Sequence, residues 1–362
     1  MRVLIIAGMI DAKLVSKVAP LLEVEQITQI HLSRRKRYQH DRIRCHSPPQ
    51  WLCRIMPLAE AWRVFNLLYL CLRFRPALLI ALGTVPHGLY AWMLGRLFRI
   101  PVIQHVMGKN DLRLTFDKAL GKKLTLRAVC AAAAVGVRGR ASLDYLRRQG
   151  VPANKLFKPQ NLHDFSLFKP DSHSKPVYDL IYVGLLSPYK RIDLLLESLH
   201  LARQRLPQLR LLLVGDGPLR GRLQTQARQL DLIDAACFAG SVDYAQLPSC
   251  FRRAKVFIMT SQGEGLPMAM IEAMSCGLPA IIADDADIGE VARHEYNSLV
   301  VETWTPAAFA AAIVRLLSDT ALYQQLRRGA LALREHKREE YSLHAQARLW
   351  AKTIDTVLKS RD

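Results

Sequence analysis

Two carboxylates, Glu264 and Glu272, stand eight residues apart in the stretch KVFIMTSQGEGLPMAMIEAMSCGLPAIIA, residues 255–283. From Gly265 to Ala283 the only charged residue is Glu272, set among Met270, Ile271, Ala273 and Met274. A carboxylate in such apolar company must be met by donors. Carboxylates only accept hydrogen bonds, so a pair of them suits a ligand rich in hydroxyls, such as a ribose and a hexose. The alternative is that Glu272 favours the helix dipole and Glu264 is a solvated loop charge.

The elements needed to position that pair can be read from the same stretch. Residues 255–260 form a short apolar, β-branched run, which predicts a buried strand, and 261–265 predict a turn. A helix follows. Pro267 suits its first turn, Gly277 is placed to end it and Pro279 forbids its continuation. Residues 280–283 predict the next strand. The helix start offers unpaired N–H groups, a seat for a phosphate.

A chain of 362 residues, 50% hydrophobic, is long enough for two domains and excludes a disordered protein. Its seven cysteines show no CxxC or metal-ligand spacing and read as reduced thiols of a cytoplasmic protein. Residues 1–10 predict a first strand rather than a signal peptide. The longest uncharged run, residues 76–95, has Gly83, Thr84, Pro86, His87 and Gly88 at its middle, and so predicts a strand, a loop and a helix rather than a membrane span.

Charge is unevenly distributed. Residues 1–170 hold 28 Lys and Arg against 9 Asp and Glu, whereas residues 171–362 hold 23 against 22. Arg34, Arg35, Lys36, Arg37, Arg42 and Arg44 fall within eleven residues, and residues 58–74 follow with apolar positions nearly all round a helix. Such a cluster and segment suit an anionic membrane surface. Nucleic acid is the rival partner for the charge, but no nucleic-acid motif is present and Tyr38 is the only interleaved aromatic, so none is expected. A solvated basic face is the remaining alternative.

Residues 3–7, 76–81, 101–106 and 128–137 predict strands of the first half, with a helix over 88–98. Residues 177–183, 209–214 and 237–242 predict strands of the second, with a helix over 192–201. This alternation implies mostly parallel sheets with helices on both faces. Gly8 sits at the carboxyl end of the first strand, where open α/β sheets bind ligands. The glycine-rich loop of a dinucleotide oxidoreductase is missing there.

Glu264-Gly265-Leu266-Pro267, followed by Glu272-Ala273-Met274 and Gly277-Leu278-Pro279, resembles the signature of retaining glycosyltransferase family 4, the group 1 transferases. Residues 158–170 (KPQNLHDFSLFKP) resemble the family's linker between its two halves, with Leu162 where glycine is usual. Gly184 and Lys190 match a loop whose basic residues meet the donor diphosphate. Leu185 replaces its arginine, and Arg191 is a candidate for the second charge. Gly215-Asp216-Gly217-Pro218 matches a further turn, and the backbone of residues 237–242, including Gly240, falls where the family meets the nucleobase. Residues 101–108 occupy the place of a His-Gly-x-Asp run, but Met107, Gly108 and Asn110 stand there, leaving His105 as a stand-in and His87 as a second candidate. Glu290 and Asn297 match a downstream Glu and Asn.

The resemblance implies an α/β protein of GT-B fold: two facing Rossmann-like domains with a cleft between them. An acceptor domain would occupy residues 1–168 and a nucleotide-sugar domain residues 169–340, with a helix over 341–362 crossing back to the first. It implies hexosyl transfer, with retention, from a nucleotide diphosphate sugar to a glycan or lipid-linked acceptor in bacterial surface polysaccharide assembly. The site expected is Glu264, Lys190 and His105 for catalysis, and Gly8, Gly184, Lys190, Arg191, Gly215, Gly240, Glu264, Gly265, Leu266, Pro267 and Glu272 for the donor. No His/Asp/Cys cluster with metal-ligand spacing suggests a metal, so neither metal nor cofactor is expected. The expected location is cytoplasmic, peripheral on the inner membrane face. A sugar-nucleotide 2-epimerase of the same architecture and a non-catalytic binder of anionic polymers are the alternatives.

Overall fold

The computed structural model describes residues 1–9, 11–106, 119–263, 266–285 and 287–360. The chain divides into two compact units, Met1–Leu162 with Glu340–Asp362, and His163–Glu339.

In the first unit, β1 (Arg2–Ala7), β2 (Gln29–Ser33), β3 (Ile43–His46), β4 (Leu78–Leu82), β5 (Val102–His105), β6 (Ala134–Gly136) and β7 (Leu156–Phe157) form one sheet in the order β3-β2-β1-β4-β5-β6-β7. All its pairings are parallel, with Val3 beside both Ile30 and Leu78. Central β4 (LLIAL) is buried along its whole length, as a strand covered on both faces must be. The covering helices are α1 (Asp11–Leu22), α2 (Met56–Phe74), α3 (His87–Phe98), α4 (Ala119–Ala131) and α5 (Arg140–Arg148). One face packs Leu4, Ile6 and Leu79 against Leu67, Leu70, Ala91 and Leu94 of α2 and α3.

In the second unit, β8 (Tyr178–Val183), β9 (Leu211–Val214), β10 (Ala236–Gly240), β11 (Ala254–Met259), β12 (Ala280–Ala283) and β13 (Ser298–Val301) form a sheet in the order β10-β9-β8-β11-β12-β13. These pairings are parallel too. Its helices are α6 (Ile192–Arg203), α7 (Arg220–Gln229), α8 (Leu247–Arg252), α9 (Met268–Ser275), α10 (Pro306–Ser318) and α11 (Thr320–Lys337). The last helix, α12 (Leu343–Lys359), returns to the first unit, where Trp350, Ile354 and Val357 join Val3, Ile5 and Leu14 in the core.

Two sequence expectations need correction. The strand expected over 128–137 is only Ala134–Gly136, because the alanine-rich residues before it continue α4 and alanine is the best helix former. Pro267 caps α9 with extended backbone, φ −74° and ψ 121°, instead of lying in its first turn. The basic run 34–44, for which a solvated face is one alternative, is exposed at Arg35, Lys36, Arg37, Arg42 and Arg44 but not throughout. Arg34 is buried and donates to the Met9 carbonyl (2.9 Å), Arg35 lies 3.5 Å from Glu60, and Arg42 donates to the Leu22 carbonyl (2.6 Å). Among the described residues no helix is long and apolar enough to cross a membrane.

Trp350 is the largest fully buried side chain and touches Phe157 at a ring distance of 5.1 Å. Trp350→Ala is expected to cost the first unit about 3–5 kcal/mol, as a truncation that leaves a cavity. Urea unfolding followed by circular dichroism checks this, and a midpoint equal to wild type would refute it.

Candidate functional site

The loops at the carboxyl ends of β8, β9, β10 and β11 interlock through their backbones. Gly184 N–H donates to Val214 (2.9 Å), Leu186 N–H to Asp216 (3.0 Å), Gly215 N–H to Gly240 (2.8 Å) and Leu219 N–H to Leu186 (3.1 Å). The contact admits no side chain at Gly215. Its φ is +131°, and a β-carbon there would stand 2.0 Å from the Gly184 carbonyl oxygen. Gly184, Gly215 and Gly240 are thus brought together at one edge.

Lys190 ends a single turn, Pro188–Lys190, in the loop after β8. Its stem crosses Gly184, since a β-carbon on that glycine would be 3.7 Å from Lys190 Cε. The ammonium lies 5.3 Å from the Tyr189 ring centroid. Thr260 Oγ1, just past β11, donates to the carbonyls of Lys190 (3.1 Å) and Arg191 (2.8 Å), and Gln262 N–H donates to that of Tyr189 (2.7 Å). Arg191 is less free than the sequence suggests. Its backbone is left-handed, φ 49°, and its Nε lies 3.2 Å from both Asp193 oxygens, so the expected second charge already has a carboxylate partner.

Glu272 is 6% exposed on α9, with Leu266 and Pro267 buried at the helix start. Loss of hydration pushes its carboxyl up from 4.5 to about 7, against the opposing effect of a hydrogen bond from the Tyr244 hydroxyl. The Tyr244 hydroxyl is itself pushed well up, first by burial and then by the neighbouring Glu272 charge. Its ring packs edge-on against Phe168, 5.3 Å between centroids. From the other side, His163 Nε2 lies 2.9 Å from Ser275 Oγ, which donates to the Ile271 carbonyl (2.7 Å) and holds the helix in place. Glu264 and Gly265 lie outside the described residues, as do Met107, Gly108 and Asn110.

Tyr244 escaped the sequence reading because its role comes from a contact across 28 residues. The one local signal was a phenol just after a strand. Asn297 is a loop clamp: its Oδ1 accepts from Arg293 N–H (2.8 Å) and its Nδ2 donates to the Val291 carbonyl (2.8 Å). Glu290 lies in the short turn Ile288–Glu290 leading into that loop.

Gly8 and His105 belong to the first unit. Gly8 is backed by the His87 ring, which a β-carbon on Gly8 would meet at 2.5 Å. Burial, with Arg63 nearby, holds His87 down at about 4. Beside it Glu60 accepts from both Arg63 Nη1 (3.2 Å) and the Tyr90 hydroxyl (3.0 Å). His105 is not presented to a substrate. It is fully buried, its Nε2 is 3.3 Å from the buried Lys17 ammonium, and desolvation, then Lys17, drive it well below its usual range. The structure thus places the His105 ring in the interior of the first unit, facing Lys17. Among the described residues no group of three or more His, Cys, Asp or Glu could hold a metal ion.

Two parallel sheets with a returning terminal helix define an α/β protein of GT-B fold. The crystal structure of HepE from Anabaena in complex with UDP is similar over 98% of this chain and 100% of its own, at TM-score 0.79 and 18% identity. Sucrose-phosphate synthase from Thermosynechococcus elongatus matches over 99% of both chains at TM-score 0.82 and 18% identity. Residues 166–333 match the family model for glycosyl transferases group 1, and residues 14–157 that for a glycosyl transferase 4-like domain. The chain belongs to the group 1 glycosyl transferases. Among curated relatives, the D-inositol 3-phosphate glycosyltransferase of Salinispora tropica is 28% identical over 193 residues, covering 50% of this chain and 37% of that protein. The chain spans less than half the length of the curated relatives it matches.

The raised carboxyl of Glu272 sets a pH dependence. Between its ordinary 4.5 and its folded value of about 7, the folded state holds the proton that the unfolded state has lost, so stability falls as pH rises through that window. The loss in the second unit is expected to reach ~3 kcal/mol. Thermal unfolding of the ligand-free protein across the window checks this: wild type should decline and Glu272→Gln should stay flat, while parallel curves would refute it.

Proposed function

We propose that the protein transfers a hexosyl group from a nucleotide diphosphate sugar to a hydroxyl of a glycan or lipid-linked glycan, with retention at the anomeric carbon. The observation that carries this reading is Glu272, a carboxylate removed from water and met by the hydroxyl of Tyr244 from the loop after β10, in the same unit whose Gly184, Lys190, Gly215 and Gly240 loops interlock. A buried acceptor whose proton is held up to about 7 gains from donors brought by a ligand, and two ribose hydroxyls are such donors. HepE, similar in fold, was crystallised with UDP and with UDP-glucose, which supports a uridine or related nucleotide as carrier.

In this mechanism Glu272 binds ribose while Lys190 and the free N–H groups at the start of α9 stabilise charge on the departing diphosphate. The acceptor hydroxyl attacks from the face the diphosphate leaves, and the leaving phosphate takes its proton. Glu264 is the group assigned to the donor sugar. The reaction needs no metal or organic cofactor. The acceptor belongs to surface polysaccharide assembly at the cytoplasmic face of a membrane, and the basic, apolar first unit suits attachment there.

Glu272→Ala and Lys190→Ala are each expected to raise donor KM or lower kcat/KM by about 10–100-fold, the cost of one charge-assisted contact. Steady-state kinetics with UDP- and GDP-sugars, with and without EDTA, provides the measurement. Unchanged constants in both variants would overturn the site, and loss of turnover in EDTA would overturn metal independence.

A further inference from the structure

Helix α2 is apolar on two sides. Ala59, Leu67, Leu70 and Cys71 face the core, while Leu58, Phe65, Tyr69 and Leu72 form an outward stripe, with Phe65 73% exposed. Among the described residues twenty large apolar side chains are exposed, and eleven of them lie between Trp51 and Leu97. A surface helix with no polar face is one that something covers.

Between α2 and α3 runs an apolar groove of about 560 Å³, lined by Val64, Leu67, Leu68, Trp92, Met93 and Leu97. Its size falls in the range that holds a ligand. Met93 and Leu97 stand at its mouth, 61% and 66% exposed. The buried Trp92 Nε1 has no hydrogen-bond partner among the described residues. Arg96 closes the rim with its guanidinium 5.8 Å from the Trp92 ring centroid. Residues 51–106 contain six arginines and a single acidic residue, Glu60, which is held by Arg63 and Arg35.

We propose that this groove seats a hydrocarbon chain of an anionic membrane lipid, with Arg96 at the headgroup and the outer stripe of α2 lying in the bilayer interface. The inference rests on the reading above that the protein works at a membrane surface, and it identifies where the lipid enters. Charge decides between occupants. A second copy docking symmetrically would set a rim with Arg96 and no carboxylate against itself, whereas an anionic bilayer is complementary to that charge. The apolar stripe and cationic flank are also what an interfacial helix requires.

The test uses the full chain and vesicles of equimolar phosphatidylcholine and phosphatidylglycerol, the latter brominated on its acyl chains, which quench a tryptophan they touch. Wild type should bind, and Trp92→Phe should abolish a discrete share of the quenching. Met93→Glu and Leu97→Glu should each weaken vesicle binding by about tenfold, the loss from one buried apolar side chain. UDP-glucose binding should hold in every variant, since all three positions are distant in sequence from the donor loops, and the thermal midpoint should hold in Met93→Glu and Leu97→Glu, whose side chains are exposed. Vesicle binding with equal quenching in wild type and Trp92→Phe would overturn the groove while leaving membrane attachment standing. Absence of vesicle binding would overturn both, and failure of UDP-glucose to bind would count against the donor reading alone. A wild-type dimer in sedimentation that Leu97→Glu dissociates would assign the face to a second copy and overturn the lipid.

Discussion

Parallel pairing is the constraint on which the rest of this molecule depends. A strand that pairs in parallel must be reached by a crossover, so helices cover both faces of each sheet and the loops after the strands collect at the carboxyl edge. In the second unit that edge gathers Gly184, Lys190, Gly215, Gly240 and Thr260, which are far apart in the chain. Their approach is so close that Gly215 has no room for a β-carbon against the Gly184 carbonyl.

Electrostatics at that edge follows from burial more than from net charge. Glu272 is titrated upward because water has been removed, and Tyr244 returns part of the lost hydrogen bonding. Asp193 meets Arg191 within the loop, so part of that guanidinium's charge is already answered before any anion arrives. In the first unit, Lys17 and His105 are buried together, and desolvation is the larger cause of both downward shifts, with Arg138 next for Lys17 and Lys17 next for His105. That pair serves the core.

The surface of the first unit has its own logic. Arginines supply nearly all the charge around α2 and α3, and their long apolar stems and planar heads allow them to border an apolar groove, as Arg96 does against Trp92. Those helices bury one apolar face on β1 and β4 and leave the other outward. Packing within the unit does not account for the second face.

Local chemistry determined a good deal from the chain alone. Pro267, Gly277 and Pro279 bracket α9 because one ring suits a helix start, one glycine adopts φ +87° and another ring cannot continue. The apolar runs of β1, β8, β11 and β12 announced themselves because strands buried on both sides carry no polar alternation. By contrast β2 and β3 were hidden, since His31 in β2 and Arg34 just beyond it are polar residues that tertiary partners make tolerable in the interior. Tertiary structure alone decided that Tyr244 reaches Glu272, that Asp193 occupies Arg191, and that His105 turns inward to Lys17. Each of those outcomes depends on which groups lose water together, and spacing along a chain does not encode that.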